Sequence, residues 1–277
     1  IYEINTPDRN NNLKNIVLNY KDINDYYDDS YYIGAAIGRY ANRIKNGIFK
    51  LKNDTYFLEK NDGDNHLHGG SNGFHKANWN LVNKSKRSIH LRHQCNEKTY
   101  PGKIEIDLVY TLNEDNSFDI EFIAYSDKDT IFNPTSHSYF NLGSDKTILN
   151  HELKINSDKI LEIDKNGIPT ENILEINDGP FDFKNFKSIG KDIRKNDIQL
   201  EFGSGYDHNF ILNDNEEFAA ILLDKNSGRR LKIKTDQPGM QVYTGNSLGE
   251  NFIKNGGVCI ETQHYPNTPN CDIFPSV

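Results

Sequence analysis

The chain of 277 residues carries a formal net charge of −8, and 35% of its residues are hydrophobic. This length suits one large all-β domain with a sizeable core. The acidic balance disfavours binding to nucleic acid or to an anionic membrane surface, because both would repel the chain. No window approaches 18 consecutive apolar residues, so the sequence predicts no transmembrane helix.

Short apolar runs separated by turn residues dominate the chain. Residues 47–51 and 55–59 predict a β-hairpin with a polar turn. In residues 103–112 and 118–124, apolar and polar side chains alternate on either side of a turn. This pattern predicts a long antiparallel hairpin with one face in the core. Only residues 188–200 favour a helix, so we predict an all-β fold, an antiparallel β-sandwich.

Three cysteines, Cys95, Cys259 and Cys271, are too few and too scattered for a disulfide framework. We therefore expect a reducing compartment and a cytoplasmic protein.

Two arginines, Arg39 and Arg43, lie four residues apart in an otherwise apolar stretch. Burying an unpaired guanidinium is costly, so each needs partners. Either arginine could anchor a turn through backbone carbonyls or bind a ligand, and the residues alone leave both interpretations open.

One histidine and two carboxylates are the main candidates for chemistry. His137 lies between apolar residues, where it is either a hydrogen-bonded core residue or a group held for proton transfer. Asp207 precedes an apolar strand, and Glu261 ends another. Glu261 has the strand parity of Cys259 and Gln263, opposite to its apolar neighbours. A carboxylate on such a strand is either paired or used.

A metal site is a further hypothesis. His66 and His68 lie on the same side of an extended segment, as in some zinc sites, and His137 could join them. Against this, no third ligand follows at a suitable local spacing, and two glycines come next.

Six segments together resemble the aldose 1-epimerases, the galactose mutarotases, and they occur in that family's order. They are residues 38–44 (GRYANRI), 67–70 (LHGG), 133–142 (NPTSHSYFNL), 206–210 (YDHNF), 237–246 (QPGMQVYTGN) and 260–263 (IETQ). The resemblance implies a large antiparallel β-sandwich of the galactose mutarotase type, a supersandwich, with an open sugar-binding cleft. It also implies a single domain over residues 1–277 that lacks some terminal residues of the family.

The resemblance also assigns roles by position. Glu261 falls on the family's general base, and His137 falls on its general acid. The groups that bind the sugar hydroxyls correspond to Arg43, Asn42, His68, Asp207 and Gln241.

The implied reaction interconverts the α and β anomers of free aldohexoses such as galactose and glucose. Two proton transfers suffice for it, so we expect no metal and no cofactor. We expect the carboxylate and the imidazole about 5–8 Å apart, on opposite sides of one pyranose ring, by analogy with carboxyl pairs that flank a glycoside. The expected partner is a small aldose, and the protein is a monomer or a homodimer.

Two alternatives keep this fold. A non-catalytic sugar-binding module would lack Glu261 or His137, and both are present. An epimerase for hexose 6-phosphates would need basic side chains around the phosphate, and the sequence offers only Arg39 and Arg43.

Overall fold

The computed structural model describes residues 1–96, 99–214 and 217–277. Strands account for 38% of the chain and helices for 7%, which confirms the predicted all-β fold. The chain divides into two compact units. Unit 1 contains Ile1–Ala36 and Thr135–Ser276, and unit 2 contains Ile37–Pro134 with Val277.

The strands of the described ranges, in chain order, are β1 (Asn5–Pro7), β2 (Leu13–Asn15), β3 (Ala35–Ile37), β4 (Arg43–Ile44), β5 (Ile48–Leu51), β6 (Asp54–Phe57), β7 (His66–Leu67), β8 (Asn80–Lys84), β9 (Ser88–Cys95), β10 (Ile104–Leu112), β11 (Phe118–Ser126), β12 (Thr135–His137), β13 (Tyr139–Phe140), β14 (Glu152–Ile155), β15 (Lys159–Ile163), β16 (Pro169–Glu175), β17 (Lys187–Ser188), β18 (Asp207–Ile211), β19 (Ala220–Leu223), β20 (Arg230–Ile233), β21 (Gly239–Tyr243) and β22 (Val258–Gln263).

The helices in the same ranges are α1 (Ile198–Phe202) and four 3₁₀ helices (Ile23–Tyr26, Lys45–Gly47, Ile189–Lys191 and Thr268–Asn270). None of these described helices has the length and apolar character that a membrane span requires.

Unit 1 is built on two antiparallel sheets. One has six strands in the order β13-β22-β21-β18-β15-β16, and the other has four in the order β17-β14-β19-β20. Leu153 and Leu222 of the four-stranded sheet share one buried cluster with Phe210, Val242 and Val258 of the six-stranded sheet. Because the two sheets enclose a common apolar layer, they form a β-sandwich.

The register of the six-stranded sheet separates its apolar and polar side chains. Gln241 of β21 lies opposite both Asn209 of β18 and Glu261 of β22. Successive side chains of a strand point to opposite faces. Met240 and Ile260 therefore enter the core, while Gln241 and Glu261 share the other face. This agrees with the parity predicted for Glu261.

Unit 2 contains the two hairpins that the sequence predicts. β5 pairs with β6, and β10 pairs with β11 in a four-stranded sheet of order β11-β10-β9-β8. The expectation of one face in the core holds for Ile106 and Leu108, which are buried. It is wrong at the turn end of the hairpin, where Phe118 and Ile120 are 38% and 36% exposed. Alternation specifies a face but not how far the packing above that face extends.

The predicted helix over residues 188–200 is wrong for most of its length. The α-helix begins only after Asp197, whose carboxylate accepts hydrogen bonds from the backbone N–H groups of Gln199 and Leu200. Such a side chain satisfies the amides that the first helical turn leaves unpaired. Residues 192–196 before this cap form turns and bends, so the helix is only five residues long.

One buried histidine should make the stability depend on pH. Burial lowers the pKa of His208 to about 3, against about 6.5 in an unfolded chain. The unfolded state therefore binds more protons between these values. We expect the free energy of unfolding to fall by about 1.4 kcal/mol for each pH unit below 6.5. The reason is that the folded protein keeps His208 neutral, whereas the unfolded chain takes up a proton there.

Urea denaturation of wild type and His208→Gln at several values between pH 7 and 4.5 measures this slope. Glutamine does not titrate, and it keeps an acceptor for the Asp207 N–H that His208 Nδ1 accepts. In the variant, the free energy of unfolding should depend on pH less steeply than in wild type, by the contribution of one proton. Equal slopes in the two proteins would contradict the prediction.

Candidate active site

Backbone and side-chain hydrogen bonds fix the segment that carries His137. The Thr135 hydroxyl of β12 donates to the Thr262 carbonyl of β22 at 2.9 Å. The His137 carbonyl accepts the Gly34 N–H at 3.1 Å. His137 is 4% exposed, so its imidazole is almost entirely removed from solvent.

The two ring nitrogens of His137 face different groups. Nε2 lies 3.7 Å from Glu261 Oε1, and both side chains are at most 5% exposed. Nδ1 lies 3.4 Å from the Cys259 sulfur. Burial raises the pKa of the Cys259 thiol, which therefore stays protonated. A thiol donates to the Nδ1 of a neutral ring or accepts from the Nδ1–H of an imidazolium, so it can serve both protonation states.

The distance between the acid and base candidates differs from the expectation. We predicted about 5–8 Å, by analogy with carboxyl groups that flank a sugar ring, but His137 Nε2 and Glu261 Oε1 are 3.7 Å apart. A pyranose ring does not fit between atoms at this separation. The two groups instead form a single buried pair.

Three tyrosine rings surround the imidazole. Their centroids lie 5.0 Å (Tyr139), 5.7 Å (Tyr32) and 6.4 Å (Tyr243) from that of His137. Desolvation raises the pKa of Tyr139 and of Tyr243, so both remain neutral phenols. Sequence reasoning gave none of the three tyrosines a role. Tyr139 lies two residues after His137 in the sequence, whereas only the folded chain brings Tyr32 and Tyr243 to the histidine.

Asp207 and Gln241 lie on the same sheet face as Glu261. The Gln241 amide Nε2 donates to Asp207 Oδ1 at 2.7 Å. Gln241 is also the cross-strand neighbour of Glu261. One glutamine therefore links the two carboxylates of this face, donating to one and lying beside the other.

The same sheet face carries two further amide side chains, those of Asn209 and Gln263, which the sequence analysis did not identify. Asn209 and Gln263 are 1% and 0% exposed. Within the described ranges, neither amide nitrogen nor amide oxygen of these side chains has a hydrogen-bond partner. An unsatisfied buried polar group costs about 1–3 kcal/mol, so these two amides are further candidates for polar contacts at this face. The available signal was spacing, since each lies two residues after a site carboxylate, Asp207 or Glu261.

Unit 2 brings Asn42, Arg43 and His68 together. The Asn42 N–H donates to His68 Nδ1, and the His68 N–H donates to the Asn42 carbonyl, both at 3.1 Å. The Asn42 side-chain oxygen accepts the Arg43 N–H at 2.8 Å. Because Nδ1 of His68 is an acceptor, its neutral imidazole carries the proton on Nε2, which makes Nε2 a donor.

Asp62 orients the guanidinium of Arg43. Arg43 Nε donates to Asp62 Oδ2 at 2.7 Å, and the Arg43 side chain is 19% exposed. A guanidinium held along one edge presents its other donors in a fixed direction.

The turn after His68 requires glycine. Gly69 has a φ of +83°, and a Cβ atom there would lie 1.9 Å from the Gly38 carbonyl oxygen. Any side chain would push the two backbones apart, so the glycine keeps the His68 turn in place.

Arg39 resolves one of the alternatives that the sequence left open. Its Nη1 donates to the Pro101 carbonyl at 2.7 Å, and its Nη2 donates to the Gly102 carbonyl at 3.3 Å. The guanidinium lies 5.2 Å from the Tyr100 ring, and the residue is 1% exposed. Arg39 therefore anchors backbone and is not a ligand-binding arginine.

Both ring nitrogens of His66 are likewise engaged in hydrogen bonds within the protein. Its Nδ1 donates to the Glu59 carbonyl at 2.7 Å, and its Nε2 accepts from the Tyr100 hydroxyl at 2.6 Å. Burial lowers the pKa of His66, which keeps the ring neutral. Since both nitrogens are used, the hypothesis of a metal site that includes His66 is wrong.

The predicted site residues thus fall into two groups. Unit 1 assembles the side chains of His137, Asp207, Gln241 and Glu261, and unit 2 assembles those of Asn42, Arg43 and His68. The roles assigned to these seven residues remain predictions.

A buried carboxylate beside an imidazole on a β-sandwich is an arrangement suited to acid–base catalysis. The family model described as aldose 1-epimerase matches residues 1–277. The chain belongs to the aldose 1-epimerase family.

Curated relatives are similar over most of their length. The chain is 37% identical to the aldose 1-epimerase of Haemophilus influenzae, over 94% of this chain and 79% of that protein. It is 35% identical to the galactose mutarotase of Sus scrofa, over 100% of this chain and 83% of that protein.

Solved structures share the fold. A GalM/aldose epimerase homologue from C. elegans matches with a TM-score of 0.91 at 28% identity, covering 100% of this chain and 87% of that one. The galactose 1-epimerase of Lactobacillus acidophilus matches with a TM-score of 0.85 at 33% identity, covering 93% and 79%. The prediction of a galactose mutarotase fold is confirmed.

The buried thiol beside His137 gives a chemical test of the site. Only a thiolate reacts readily with alkylating agents, and burial both hides Cys259 and raises its pKa. We expect iodoacetamide at pH 7.5 to leave Cys259 unmodified in the native protein, as judged by peptide mass spectrometry. The urea-unfolded protein, where all three cysteines should react, is the control. Rapid alkylation of native Cys259 would show that the thiol beside His137 is exposed or ionised.

Proposed function

We propose that this protein is an aldose 1-epimerase that interconverts the α and β anomers of free aldohexoses such as galactose and glucose. Family membership supports the reaction, and one observation carries the assignment of the chemistry. That observation is the buried contact between His137 Nε2 and Glu261 Oε1, at 3.7 Å.

In this proposal Glu261 is the base and His137 is the acid. The Glu261 carboxylate takes the proton of the anomeric O1–H, and the His137 imidazolium gives a proton to the ring oxygen O5 as the C1–O5 bond breaks. The products are an open-chain aldehyde, a neutral carboxylic acid and a neutral imidazole. After rotation about C1–C2, O5 attacks C1 from the other face, its proton returns to His137, and Glu261 protonates O1.

The short contact suits this chemistry. O1 and O5 are bonded to the same carbon, so the groups that serve them must lie close together. A carboxylate and an imidazolium become two neutral groups when the ring opens, so the net charge of the buried pair does not change. No buried charge is left without its partner at any stage, which avoids the large cost of an isolated charge.

We propose that Asn42, Arg43, His68, Asp207 and Gln241 bind hydroxyl groups of the substrate. Arg43 and the His68 Nε2 provide donors, and Asp207 provides acceptors. The Asp62, Asn42 and Gln241 contacts support this assignment, because each orients one of these groups. An oriented sugar is needed, since acid–base groups gain little from a substrate that is free to turn.

The two alternative functions are less well supported. A binding module has no use for a buried acid–base pair. An epimerase for hexose 6-phosphates would need basic groups for the phosphate, and the Arg39 guanidinium is committed to backbone carbonyls.

We also propose that the enzyme acts in the cytoplasm, as a monomer or a homodimer. Its three cysteines are free and buried, which fits a reducing compartment.

Polarimetry tests the proposed activity directly. Freshly dissolved α-D-galactose and α-D-glucose should approach their equilibrium rotation faster with the protein than without it. A rate equal to the spontaneous rate for both sugars would refute the function.

The acid–base pair makes a specific mutational prediction. Glu261→Gln keeps the size and the hydrogen-bonding capacity of the side chain but removes the base, and His137→Asn removes the acid. Each should lower kcat at least about 100-fold, the lower range for general acid–base catalysis. KM should change much less, because neither group is the main anchor of the sugar.

A matched control for this pair is Glu171→Gln, the same exchange on an exposed strand position, which should leave kcat unchanged. Wild-type mutarotation by Glu261→Gln would remove the base from the scheme.

Arg43 should contribute to substrate binding through its shape. Arg43→Lys keeps the charge but loses the planar fork whose Nε edge Asp62 holds. We therefore expect KM to rise by about 10-fold or more, which corresponds to losing one charged hydrogen bond of about 1.5–3 kcal/mol. Initial rates over a range of galactose concentrations measure KM. An unchanged KM would exclude Arg43 from sugar binding.

A further inference from the structure

Tyr32 adopts a backbone conformation that tyrosine rarely accepts. Its φ is +58°, and among the described residues it is the only tyrosine, phenylalanine or tryptophan with a positive φ. For a bulky side chain this is an outlier, because Cβ crowds the backbone in the left-handed region. Strain of this kind persists only where the surrounding structure enforces it, and it concentrates at functional sites.

The neighbouring residues enforce this conformation. The Asp29 carboxylate accepts the Tyr31 N–H at 2.9 Å and the Ile33 N–H at 2.7 Å, so it grips the backbone on both sides of Tyr32. The Tyr139 hydroxyl donates to the Tyr31 carbonyl at 3.0 Å. These contacts tie the loop to the strand that follows His137.

This backbone conformation places the Tyr32 ring beside the His137 imidazole. The centroids of the two rings lie 5.7 Å apart with a 45° angle between the ring planes. The segments are also joined directly: the Gly34 N–H donates to the His137 carbonyl at 3.1 Å, and β3 pairs with β12. Tyr139 and Tyr243 reach the imidazole from strands of the sheet. Tyr32, in contrast, lies in a loop with a strained backbone, and its side chain is only half-buried.

We propose that Tyr32 is a positioning residue for the reaction, whose ring holds the His137 imidazole in the orientation that transfers a proton to the sugar ring oxygen. This inference rests on the proposed function, because it needs His137 as the acid. The proposed action is the packing of the ring against the imidazole, so a phenylalanine at this position should preserve it.

The backbone strain allows the ring to be removed in two ways. Tyr32→Gly removes the ring and relieves the strain, because glycine accepts a positive φ. Tyr32→Ala removes the ring and keeps the strain. Tyr32→Phe keeps the ring. We expect the glycine and alanine variants to lower kcat by the same factor, about 10- to 100-fold, as slight misplacement of a catalytic group does. KM should stay nearly constant, and Tyr32→Phe should retain the wild-type kcat.

Stability is measured in parallel by urea denaturation. Tyr32→Gly should unfold at a higher urea concentration than Tyr32→Ala, so equal kcat values at unequal stability separate positioning from simple destabilisation. Tyr27→Gly is the matched control, since Tyr27 lies in the same loop region, is 78% exposed and has a φ of −67°. It should leave kcat unchanged.

Each other outcome overturns the inference. A wild-type kcat in Tyr32→Gly shows that His137 needs no such support. A raised KM with unchanged kcat shows that the ring contacts the sugar instead. A loss in Tyr32→Phe equal to that in Tyr32→Gly assigns the effect to the hydroxyl. These outcomes all require an active wild type, so they are distinct from failure of the proposed function, in which the wild type itself is inactive.

Discussion

The hydrogen-bonded register of β18, β21 and β22 determines both the core of unit 1 and its polar face. Gln241 lies opposite Asn209 and Glu261, and the intervening side chains, among them Met240, enter the core. A slip of one residue between these strands would turn the Glu261 carboxylate into the apolar layer and bring hydrophobic side chains onto the polar face. The cost of burying an unpaired charge opposes that slip. The packing of the core therefore also fixes the candidate site.

The same limit on buried charge explains why two groups with such different partners are both stable. Arg39 is 1% exposed, and both terminal nitrogens of its guanidinium donate to backbone carbonyls, which are permanent partners. Glu261 is 2% exposed and faces the His137 imidazole, a partner that can exchange protons. A carbonyl cannot change its protonation state, but an imidazole can near neutral pH. The chemistry of the partner thus distinguishes a structural buried charge from one that is suited to catalysis.

Sequence patterns predicted those features that depend on local alternation. The hairpin predicted over residues 103–112 and 118–124 and the parity of Glu261 both follow from a period of two. The helix was misplaced because one cap, Asp197, decides where helical pairing begins, and apolar spacing does not reveal it. The separation of 5–8 Å was wrong because the analogy came from groups on two sides of a glycosidic bond. The proposed ring opening uses two oxygens on one carbon, which favours adjacent groups.

Features that depend on contacts between distant segments were beyond such patterns. Asn42, His68 and Tyr32 all have positive φ angles, which asparagine and histidine adopt more often than most residues and a bulky tyrosine rarely adopts. Each strained residue costs on the order of 1–3 kcal/mol and persists because hydrogen bonds from other segments hold it. The sequence shows the residue type but not the bonds that overrule its preference. Positive φ angles also occur at exposed turn residues such as Lys52 and Glu250, so the conflict between residue type and backbone is most informative at Tyr32, the bulky ring beside His137.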